Sequence, residues 1–595
     1  MAERMDHRGM SSLNERKRKK SCTSPASEVH GAAETEMEAA VAQQRQRAID
    51  SLLQWCRTKA GFRLNEALVQ FTASEQGVRA FARTSIKKGT PIAVIPRSCY
   101  LWRHHPAMET AELPSPPDRV AVSPLKLLQL VRAAWDELCA APAGPPTLLE
   151  WADVELAVLF MAAKCAASAN ENSVSEGTAG LRHWKAYLEA LQPAPLDMPL
   201  AWDAAVVMAG ARGTQFCWAH RRLQAEVARV WELALEPCCR DCLMHLSSGS
   251  ILRQLFDYGL MIVMSHAFGQ EEEEGQDEDE EEEAEEEAEE EEGAEKDDDA
   301  DDKGDCKQRG NGGGGFGVHC SSGRGGPALV PVADLFNGMP EGQNSVEVSE
   351  VQVATGTPGS STAQWATVVM TVHDVDTGDE LLNSYGPLCS SVFLLKYGVL
   401  PETLVNNNAH EAAFLALAHS YAHCTPAQVA LLSQLGYPPP VWDNSNSADC
   451  AASPLVLRRQ DMVQAALAAQ TLDGNSSHDG EYGNSMGTLP PELLPVFLVL
   501  TWQDLCAALP EQNTPNAVQL EAAVQAYQQG VHCARVQAAF RAAIQRQLAA
   551  LDSRLTTTAP QSGKSGNLTF VIAQLVRVQE CERRFLQQVL ALTKS

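Results

Sequence analysis

The sequence predicts an α+β fold whose β-rich part is divided in two and is followed by a helical C-terminal domain. Strand-like runs occur at 78–82 and 91–95 and again between 328 and 383, and a helical stretch from 125 to 268 separates them. After 405, apolar residues recur mostly at helical spacing. With 595 residues, the chain is long enough for two or three hydrophobic cores.

The first β-rich part is predicted within 46–268. Its two runs, Val78 to Ala82 and Pro91 to Ile95, are separated by Lys87-Lys88-Gly89, which is the pattern of a β-hairpin. From Leu125 onward, long stretches are apolar on more than one face and contain few helix breakers. We therefore expect a hairpin followed by a helical insertion.

The acidity of the chain is concentrated in one predicted insert, at 269–327. The net charge is −29, and 271–310 alone contains 25 Asp or Glu against four Lys or Arg. A Gly-rich stretch, 304–326, follows. Neither part can bury enough apolar surface to offset its chain entropy, so the insert is predicted to be disordered. The rest of the chain has the ordinary charge of a soluble enzyme, and no direct nucleic-acid binding is expected.

The N-terminal segment, 1–45, is predicted to be a disordered basic tail. Its basic run, Arg16 to Lys20, has two interpretations: a nuclear localisation signal or nucleic-acid arm, and a simple solvated tail. The segment has no apolar signal core, and no run in the chain approaches the length needed to span a bilayer. The 17 cysteines lack the spacing of a disulfide scaffold. We expect a protein with free thiols in the nucleus or cytoplasm.

The second β-rich part is predicted at 328–404 and the helical domain at 405–595. Strands are expected at 328–336, 345–353, 365–372 and 380–383. The C-terminal domain is predicted to be all-α, with a polar loop at about 473–488. Its helical periodicity is carried by these residues: Phe540, Ile544, Leu548, Leu551, Leu555, Leu575, Val578, Phe585, Leu586 and Val589.

Three short motifs contain the residue types that chemistry would need. Gly77 stands at the entrance of a strand, where backbone can approach a ligand closely. Asn337-Gly338 ends a strand-like run, and by itself this pair is more often a hairpin turn. Tyr385-Gly386 and Tyr397-Gly398 lie twelve residues apart, and a single tyrosine at such a place is usually a core residue.

Taken in order, the three motifs resemble the SET-domain methyltransferases of the Rubisco large-subunit methyltransferase type. That family has Gly-x-Gly followed by a basic-Gly turn and Ile-Pro, then Pro-x-Ala-Asp-x-x-Asn-His, then two Tyr-Gly pairs. The matching residues are Gly77, Val78, Phe81, Pro96, Pro331, Ala333, Asp334, Asn337, Tyr385, Tyr397 and Gly398. Two helical segments, 183–188 and 262–268, also resemble family segments.

The resemblance implies a SET-type β-clip that uses S-adenosylmethionine to methylate a lysine of a protein, with the C-terminal helices as a substrate-binding domain. Tyr385 would line the methyl-transfer channel, and Tyr397 would supply an aromatic wall. Backbone at Gly77 and Val78 would approach the cofactor, and Asn337 would bind its amino-acid end or adenine. The full cofactor-side set is Gly77, Val78, Arg79, His266, Asn337, Gly338 and Tyr397. The Asn-x-Tyr-Gly form of the third motif is most similar to the branch that modifies ribosomal and nuclear proteins.

The chain departs from the family pattern at four positions. Arg79 replaces the second glycine of the first motif, and His266 replaces an arginine that many members carry. Gly338 stands where the family has histidine, and Val399 where it has phenylalanine. The changes at Arg79, His266 and Gly338 leave open a SET-like binding protein whose acidic insert captures basic partners. The resemblance also leaves open histidine methylation, which some relatives perform in the same pocket.

Two other patterns are weaker candidates for sites. Cys238-Cys239-Arg240-Asp241-Cys242 suggests a zinc site, but no second ligand pair at suitable spacing accompanies it. Gly312 to Gly317 matches a nucleotide-binding glycine pattern, but neither a strand before it nor a helix after it is predicted. We expect no metal.

Overall fold

Helices and strands are mixed in the structure, as the α+β prediction requires. The structure is a computed structural model, and it describes residues 25–74, 77–113, 122–141, 148–168, 180–191, 198–243, 248–268, 327–340, 342–354, 363–415, 424–435, 455–462, 489–490, 493–501, 517–528, 533–555 and 566–592. The basic run at 16–20, nearly all of the acidic and Gly-rich insert and the polar loop at 473–488 lie outside these residues.

The strands are short and belong to several small sheets. In the described part of the chain they are β1 Arg63–Leu64, β2 Val69–Ser74, β3 Gly77–Ala82, β4 Pro91–Pro96, β5 Ala267–Phe268, β6 Ala328–Leu329, β7 Gly338–Met339, β8 Val346–Ala354, β9 Ala363–Thr371, β10 Asn383–Ser384, β11 Ala412–Leu415 and β12 Leu455–Arg458. β8 and β9 lie where the alternating apolar pattern predicts strands.

Helices fill most of the described residues between the β-rich parts and most of those in the C-terminal segment. In the described part they are α1 Pro25–Arg57, α2 Pro106–Thr110, α3 Pro124–Ala140, α4 Trp151–Ser168, α5 Lys185–Ala190, α6 Ala204–Ala211, α7 Gln215–Val230, α8 Glu236–Cys242, α9 Gly249–His266, α10 Ser390–Tyr397, α11 Glu402–Asn407, α12 Pro426–Gln434, α13 Leu494–Leu500, α14 Ala517–Gln528, α15 Cys533–Leu555 and α16 Gly566–Leu592. None of them is long and apolar enough to cross a membrane.

The largest sheet joins the two β-rich parts. Its order is β1-β4-β9-β8, and all its pairs are antiparallel. Pro96 of β4 pairs with Ala366 of β9, although a long helical segment and the acidic insert separate them in sequence. The two β-rich parts therefore fold as one unit, and the chain between them is an insertion into it.

The predicted hairpin between Val78 to Ala82 and Pro91 to Ile95 is wrong. β3 pairs with β2, in register from Val69 with Ala82 to Ser74 with Gly77. Ile86 forms a bridge with Val375, and Gly89 N–H donates to the Thr371 carbonyl. The Lys-Lys-Gly segment therefore turns against the second β-rich part, and it delivers β4 to a different sheet.

Three other strand predictions also need correction. The run at 328–336 is a strand only at β6, and Ala333–Leu335 forms a 3-10 helix. Of the run at 380–383, only Asn383 lies in a strand, β10, and Glu380 makes an isolated bridge with Phe81. The segment after 405 is not all-α, because β11 and β12 pair antiparallel within it. Its strands are only four residues long, too short to show a clear alternation in sequence.

The N-terminal tail is helical in part, contrary to the prediction of disorder over 1–45. Helix α1 begins at Pro25, and Arg45 donates a hydrogen bond to the Ser74 carbonyl. The segment from Ala32 to Ala48 is rich in Ala, Glu, Met and Gln, which have high helix propensity. The polar composition of this segment predicted disorder, but the segment forms a helix that packs against β2.

The buried residues form two cores, and α16 contributes to both. The first core surrounds the β-rich part and the helical insertion and includes Leu575 and Val578 of α16. The second lies among the C-terminal elements and includes Phe585 and Val589 of the same helix. The last helix thus ties the C-terminal segment to the β-rich part.

Candidate active site

Two distant chain segments meet side by side at the centre of the candidate site. β7 and β10 pair in parallel, with Gly338 opposite Asn383 and Met339 opposite Ser384. Asn383 N–H donates to the Asn337 carbonyl at 2.8 Å, and Tyr385 N–H donates to the Met339 carbonyl at 2.9 Å. Asn337-Gly338 is therefore not a hairpin turn; it enters the strand pair that carries the second and third motifs.

The tyrosines of the two Tyr-Gly motifs lie face to face. The rings of Tyr385 and Tyr397 are stacked with centroids 3.8 Å apart and planes 4° from parallel. Phe393 contacts both rings at a tilt, with centroids 5.8 Å from Tyr385 and 4.9 Å from Tyr397. Tyr397 is the last residue of α10, and Gly398 ends that helix with a left-handed conformation at φ +71°. An aromatic wall thus stands directly after the parallel strand pair.

Gly338 is required by the position of the Tyr385 ring. A Cβ on Gly338 would lie less than 3.0 Å from several ring carbons, which is closer than real contacts allow. Burial raises the pKa of Tyr385 to about 12, while a backbone hydrogen bond with Gly338 acts in the opposite direction and the nearby Asp334 raises the pKa further. Burial also raises the pKa of Tyr397 well above its usual value. Both phenols are therefore neutral at physiological pH.

The first motif is attached to the site through Asn337. The Asn337 side chain donates from Nδ2 to the Val78 carbonyl at 3.0 Å and to the Glu380 carboxylate at 2.8 Å. Leu381 N–H also donates to the Ala80 carbonyl at 2.7 Å. β3 is thereby held against the chain that leads into β10. Asn337 and Val78, both predicted site residues, are in direct contact.

Gly77 and Arg79 lie at the open side of β3. Gly77 has φ +140°, and no atom of the described residues lies within 4 Å of the position that its Cβ would take. Arg79 is exposed and pairs in register with Thr72 of β2. The Gly77 carbonyl accepts a hydrogen bond from the Ser74 hydroxyl at 3.2 Å, so the open side of this residue is at its Cα, and Arg79 is at the surface.

A buried carboxyl group, Asp334, lies next to the tyrosine pair and was not among the predicted site residues. Tyr187 donates its hydroxyl hydrogen to Asp334 Oδ2, and Oδ1 is buried without a hydrogen-bond partner in the described part of the chain. Burial raises the pKa of Asp334 to about 7, although the bond from Tyr187 opposes this. In the sequence, Asp334 belongs to the Pro-x-Ala-Asp motif and Tyr187 to the segment 183–188, and these two signals could have identified the pair.

The backbone before Asp334 is strained. Val332 has φ +74°, a conformation that is costly for a β-branched residue, by about 1–3 kcal/mol. It is fully buried and immediately precedes the 3-10 helix Ala333–Leu335. Strain of this kind persists only where the surrounding packing enforces it, so this turn is held rigidly beside the tyrosines.

His266 lies at the end of α9, one step removed from the tyrosine pair. Burial lowers its pKa to about 4, and Ser265 Oγ lies 2.6 Å from its Nδ1. α9 contacts α10, and Ala267 pairs with Leu329 just before the second motif. Among the described residues, no hydrogen bond or ring contact joins His266 to Tyr385 or Tyr397.

The structure thus brings Val78, Asn337, Gly338, Tyr385 and Tyr397 together directly. Gly77 and Arg79 lie on the same strand as Val78, and His266 reaches the site only through its helix. No group of three His, Cys, Asp or Glu side chains in the described part of the chain is arranged to hold a metal ion.

The chain was also compared with known proteins. No protein-family model and no curated protein sequence matches it. Among solved structures, it is similar to the SET domain of LSMT bound to lysine and AdoHcy, at 13% identity and a TM-score of 0.49 over 92% of this chain and 91% of that one. Rubisco LSMT bound to AdoMet, at 12% identity and a TM-score of 0.47, covers the same shares of the two chains.

Proposed function

We propose that the chain is a SET-type protein methyltransferase that uses S-adenosylmethionine to methylate a lysine side chain. The observation that carries the proposal is the stacked pair of Tyr385 and Tyr397 at the junction of β7 and β10. This junction joins the second and third motifs, and Asn337 bonds the first motif to them. Residues that are far apart in sequence thus form one site of half-buried aromatic rings and adjoining backbone.

The chemistry sets clear demands on such a site. Methyl transfer to a lysine amine is an in-line displacement, so the amine must be neutral, desolvated and aligned. Lowering a lysine pKa from about 10.4 towards 7 or 8 costs roughly 3 to 5 kcal/mol. Burial against apolar rings favours the neutral amine because it destabilises the ammonium ion. The rings of Tyr385 and Tyr397, which the buried Phe393 supports from behind, are suited to this task.

Tyr385 orients the reacting groups as a neutral phenol. Because its pKa is raised to about 12, its hydroxyl stays protonated at working pH and acts as a hydrogen-bond donor or acceptor without carrying charge. The Tyr397 ring lies 3.8 Å from it and fixes the plane of the Tyr385 ring. A ring face also accommodates a methylated ammonium product.

The residues present fit S-adenosylmethionine, which when bound supplies a reactive methyl group. The open space above Gly77 lets a ligand approach the backbone of β3. Asn337 uses its Nδ2 in the two bonds to Val78 and Glu380, so its Oδ1 is an acceptor for an amino group. Arg79 is exposed on the same strand and offers a cation to a carboxylate.

Asp334 is the group in the site that changes charge near neutral pH. Its Oδ1 has no partner among the described residues and can accept the proton that the substrate ammonium must lose. With a pKa of about 7, Asp334 is a better acceptor above that pH. We therefore expect the rate of methyl transfer to rise as the pH passes through about 7.

We also propose that the substrate is a protein with an accessible lysine, in the ribosomal or nuclear class. Two sequence features support this class: the basic run Arg16 to Lys20, which suits nuclear import, and the Asn-x-Tyr-Gly form of the third motif. The acidic insert at 269–327 suits the capture of a basic partner. The protein would accordingly act in the nucleus or cytoplasm.

Methyl transfer from radiolabelled S-adenosylmethionine to proteins of a soluble cell extract tests the proposal. Wild type should label protein, and Tyr385→Phe should lose most of the labelling because the orienting hydroxyl is gone. Tyr258→Phe is the matched control, since the Tyr258 hydroxyl donates to the Leu191 carbonyl and its ring packs on Phe160 rather than on Tyr385 or Tyr397. Mass spectrometry of the labelled protein identifies the modified side chain.

Each result bears on a different part of the proposal. No S-adenosylmethionine binding and no labelling by wild type would leave a SET-like binding protein as the better account. Labelling of histidine would change the substrate class, and equal labelling by Tyr385→Phe would remove the role assigned to Tyr385.

A further inference from the structure

The short helix α10 carries Tyr397 into the site, so whatever fixes α10 fixes the stacked tyrosines. The helix has only eight residues, Ser390–Tyr397. A helix this short is not stable alone and depends on tertiary contacts. Its two ends are therefore the places to look for residues that position Tyr397.

Two buried carboxyl groups hold the N-terminal end of α10. Glu411 accepts from Ser390 N–H at 3.3 Å and from the Ser390 hydroxyl. Glu582, on α16, accepts from the Ser391 hydroxyl at 2.6 Å and from Gln215 N–H at 2.8 Å. Both acids are almost completely buried. Carboxyl oxygens at a helix N-terminus satisfy N–H groups that have no partner within the helix.

The chain just beyond the C-terminal end of α10 is held by the same C-terminal helix. Gln574 Oε1 accepts from Leu400 N–H at 2.9 Å, and Arg577 Nη1 donates to the Leu400 carbonyl at 3.1 Å. Both backbone groups of one residue, three positions after Tyr397, are thus bound by side chains of α16. Leu400 itself is fully buried.

The spacing along α16 matches the length of α10. Gln574 and Glu582 are eight residues apart on one helix, which corresponds to about 12 Å. The eight residues of α10 have the same length. α16 therefore lies alongside α10, in the opposite direction: Glu582 contacts the first turn of α10, and Gln574 contacts the chain just beyond its C-terminal end.

We propose that α16 is a positioning element of the active site, in which Gln574, Arg577 and Glu582 hold Tyr397 in its stack with Tyr385. This role extends the substrate-binding task expected for the C-terminal domain, and its catalytic consequence rests on the proposed function. The same helix joins the two hydrophobic cores. Contacts in the C-terminal core are thereby linked mechanically to the aromatic wall.

Two substitutions at Gln574 isolate the positioning bond in the full chain. Gln574→Met keeps the size of the side chain but removes the acceptor for Leu400 N–H, whereas Gln574→Glu keeps an acceptor. Gln579→Met is the matched control, because Gln579 is a buried glutamine of the same helix whose amide atoms have no hydrogen-bond partner in the described part of the chain. All three proteins are compared with wild type.

Hydrogen–deuterium exchange of 394–400 reports the contact directly. Loss of one hydrogen bond should speed exchange of this segment roughly 2- to 10-fold in Gln574→Met. Methyl transfer to a fixed soluble cell extract, at varied S-adenosylmethionine, should show an apparent kcat lowered about tenfold and a smaller change in the KM for the cofactor, because a misplaced Tyr397 disturbs the reacting geometry more than it disturbs cofactor contacts. Gln574→Glu should recover both, and Gln579→Met should resemble wild type.

The two measurements separate this proposal from the proposed function. Unchanged exchange in Gln574→Met, equal effects in Gln579→Met, or faster exchange with unchanged kcat would each overturn the positioning role. If wild type transfers no methyl group at all, the proposed function fails. Exchange then still decides whether α16 holds α10: faster exchange in Gln574→Met alone supports the contact, and unchanged exchange overturns it.

Discussion

Replacing Gly338 with alanine tests the geometry of the candidate site. A Cβ at this position would lie less than 3.0 Å from carbons of the Tyr385 ring. Gly338 does not have a positive φ, so alanine is compatible with its backbone. The expected effect of the added methyl group is therefore its steric overlap with the Tyr385 ring.

The magnitude follows from packing energetics. Forcing an extra methyl group into a filled site typically costs about 1–3 kcal/mol of unfolding free energy. Without the ring, the same substitution should stabilise by about 0.4–1 kcal/mol, because alanine restricts the unfolded chain more than glycine does. Alanine at position 338 should therefore lower the unfolding free energy when the Tyr385 ring is present and raise it when Tyr385 is also truncated. Displacing the ring should also abolish its stacking with Tyr397 and reduce methyl transfer.

A double-mutant cycle measures this difference. Denaturant unfolding of wild type, Gly338→Ala, Tyr385→Ala and the double variant gives the interaction energy between the two sites. We expect a coupling of about 1.5–4 kcal/mol, which is the cost of overpacking plus the gain from replacing glycine, with alanine stabilising in the Tyr385→Ala background. If Gly338→Ala costs the same in both backgrounds, the ring does not occupy the space assigned to it and the reasoning is refuted.

Three further predictions concern stability. Burial raises the pKa of Glu582 from 4.5 to about 8. The stabilisation of the fold by this protonated carboxyl group is fully present below pH 4.5 and is lost as the pH rises through about 8, by up to about 5 kcal/mol of unfolding free energy. Glu582→Gln should therefore show a flatter pH dependence of unfolding than wild type and should be more stable than wild type at about pH 9. Burial lowers the pKa of His183 from 6.5 to about 4, so the unfolding free energy of wild type should fall by up to about 3 kcal/mol as the pH falls from 6.5 to 4. His183→Gln keeps a donor for the Ser98 carbonyl and should lose less unfolding free energy over the same range. Because β5 and β6 pair at the two ends of the insert, replacing 269–327 by a four-residue turn should preserve the fold. The new loop is about fifteenfold shorter, so thermal unfolding should show a stabilisation of about 2 kcal/mol. Wild-type stability that does not change with pH would contradict the first two predictions, and loss of the fold would contradict the third.

The elements that sequence predicts well here are those whose signal is local. β8 and β9 follow from apolar alternation, and the helices between 124 and 266 follow from long apolar stretches with few breakers. β3 was also recognised, but its partner was not. Pairing with β2 rather than β4 depends on where the Lys-Lys-Gly turn packs, and that turn contacts Val375 and Thr371 from the other β-rich part.

The site was predictable only as a set of motifs. Asn337-Gly338 has the same local chemistry whether it closes a hairpin or enters a parallel strand pair, so only the distant partner Asn383 decides between the two. The raised pKa of Asp334 depends on burial and on Tyr187, more than a hundred residues away in sequence. The contacts of α16 with Leu400, just beyond α10, leave no periodic pattern in the sequence, because single side chains bind backbone groups.

Calorimetric titration of the full chain with S-adenosylmethionine tests the central claim most directly. The account predicts saturable binding of one molecule per chain, weakened in Gly338→Ala, whose methyl group displaces the Tyr385 ring at the junction of β7 and β10. The absence of binding to the folded wild-type chain would contradict the claim that this junction is a methyl-transfer site.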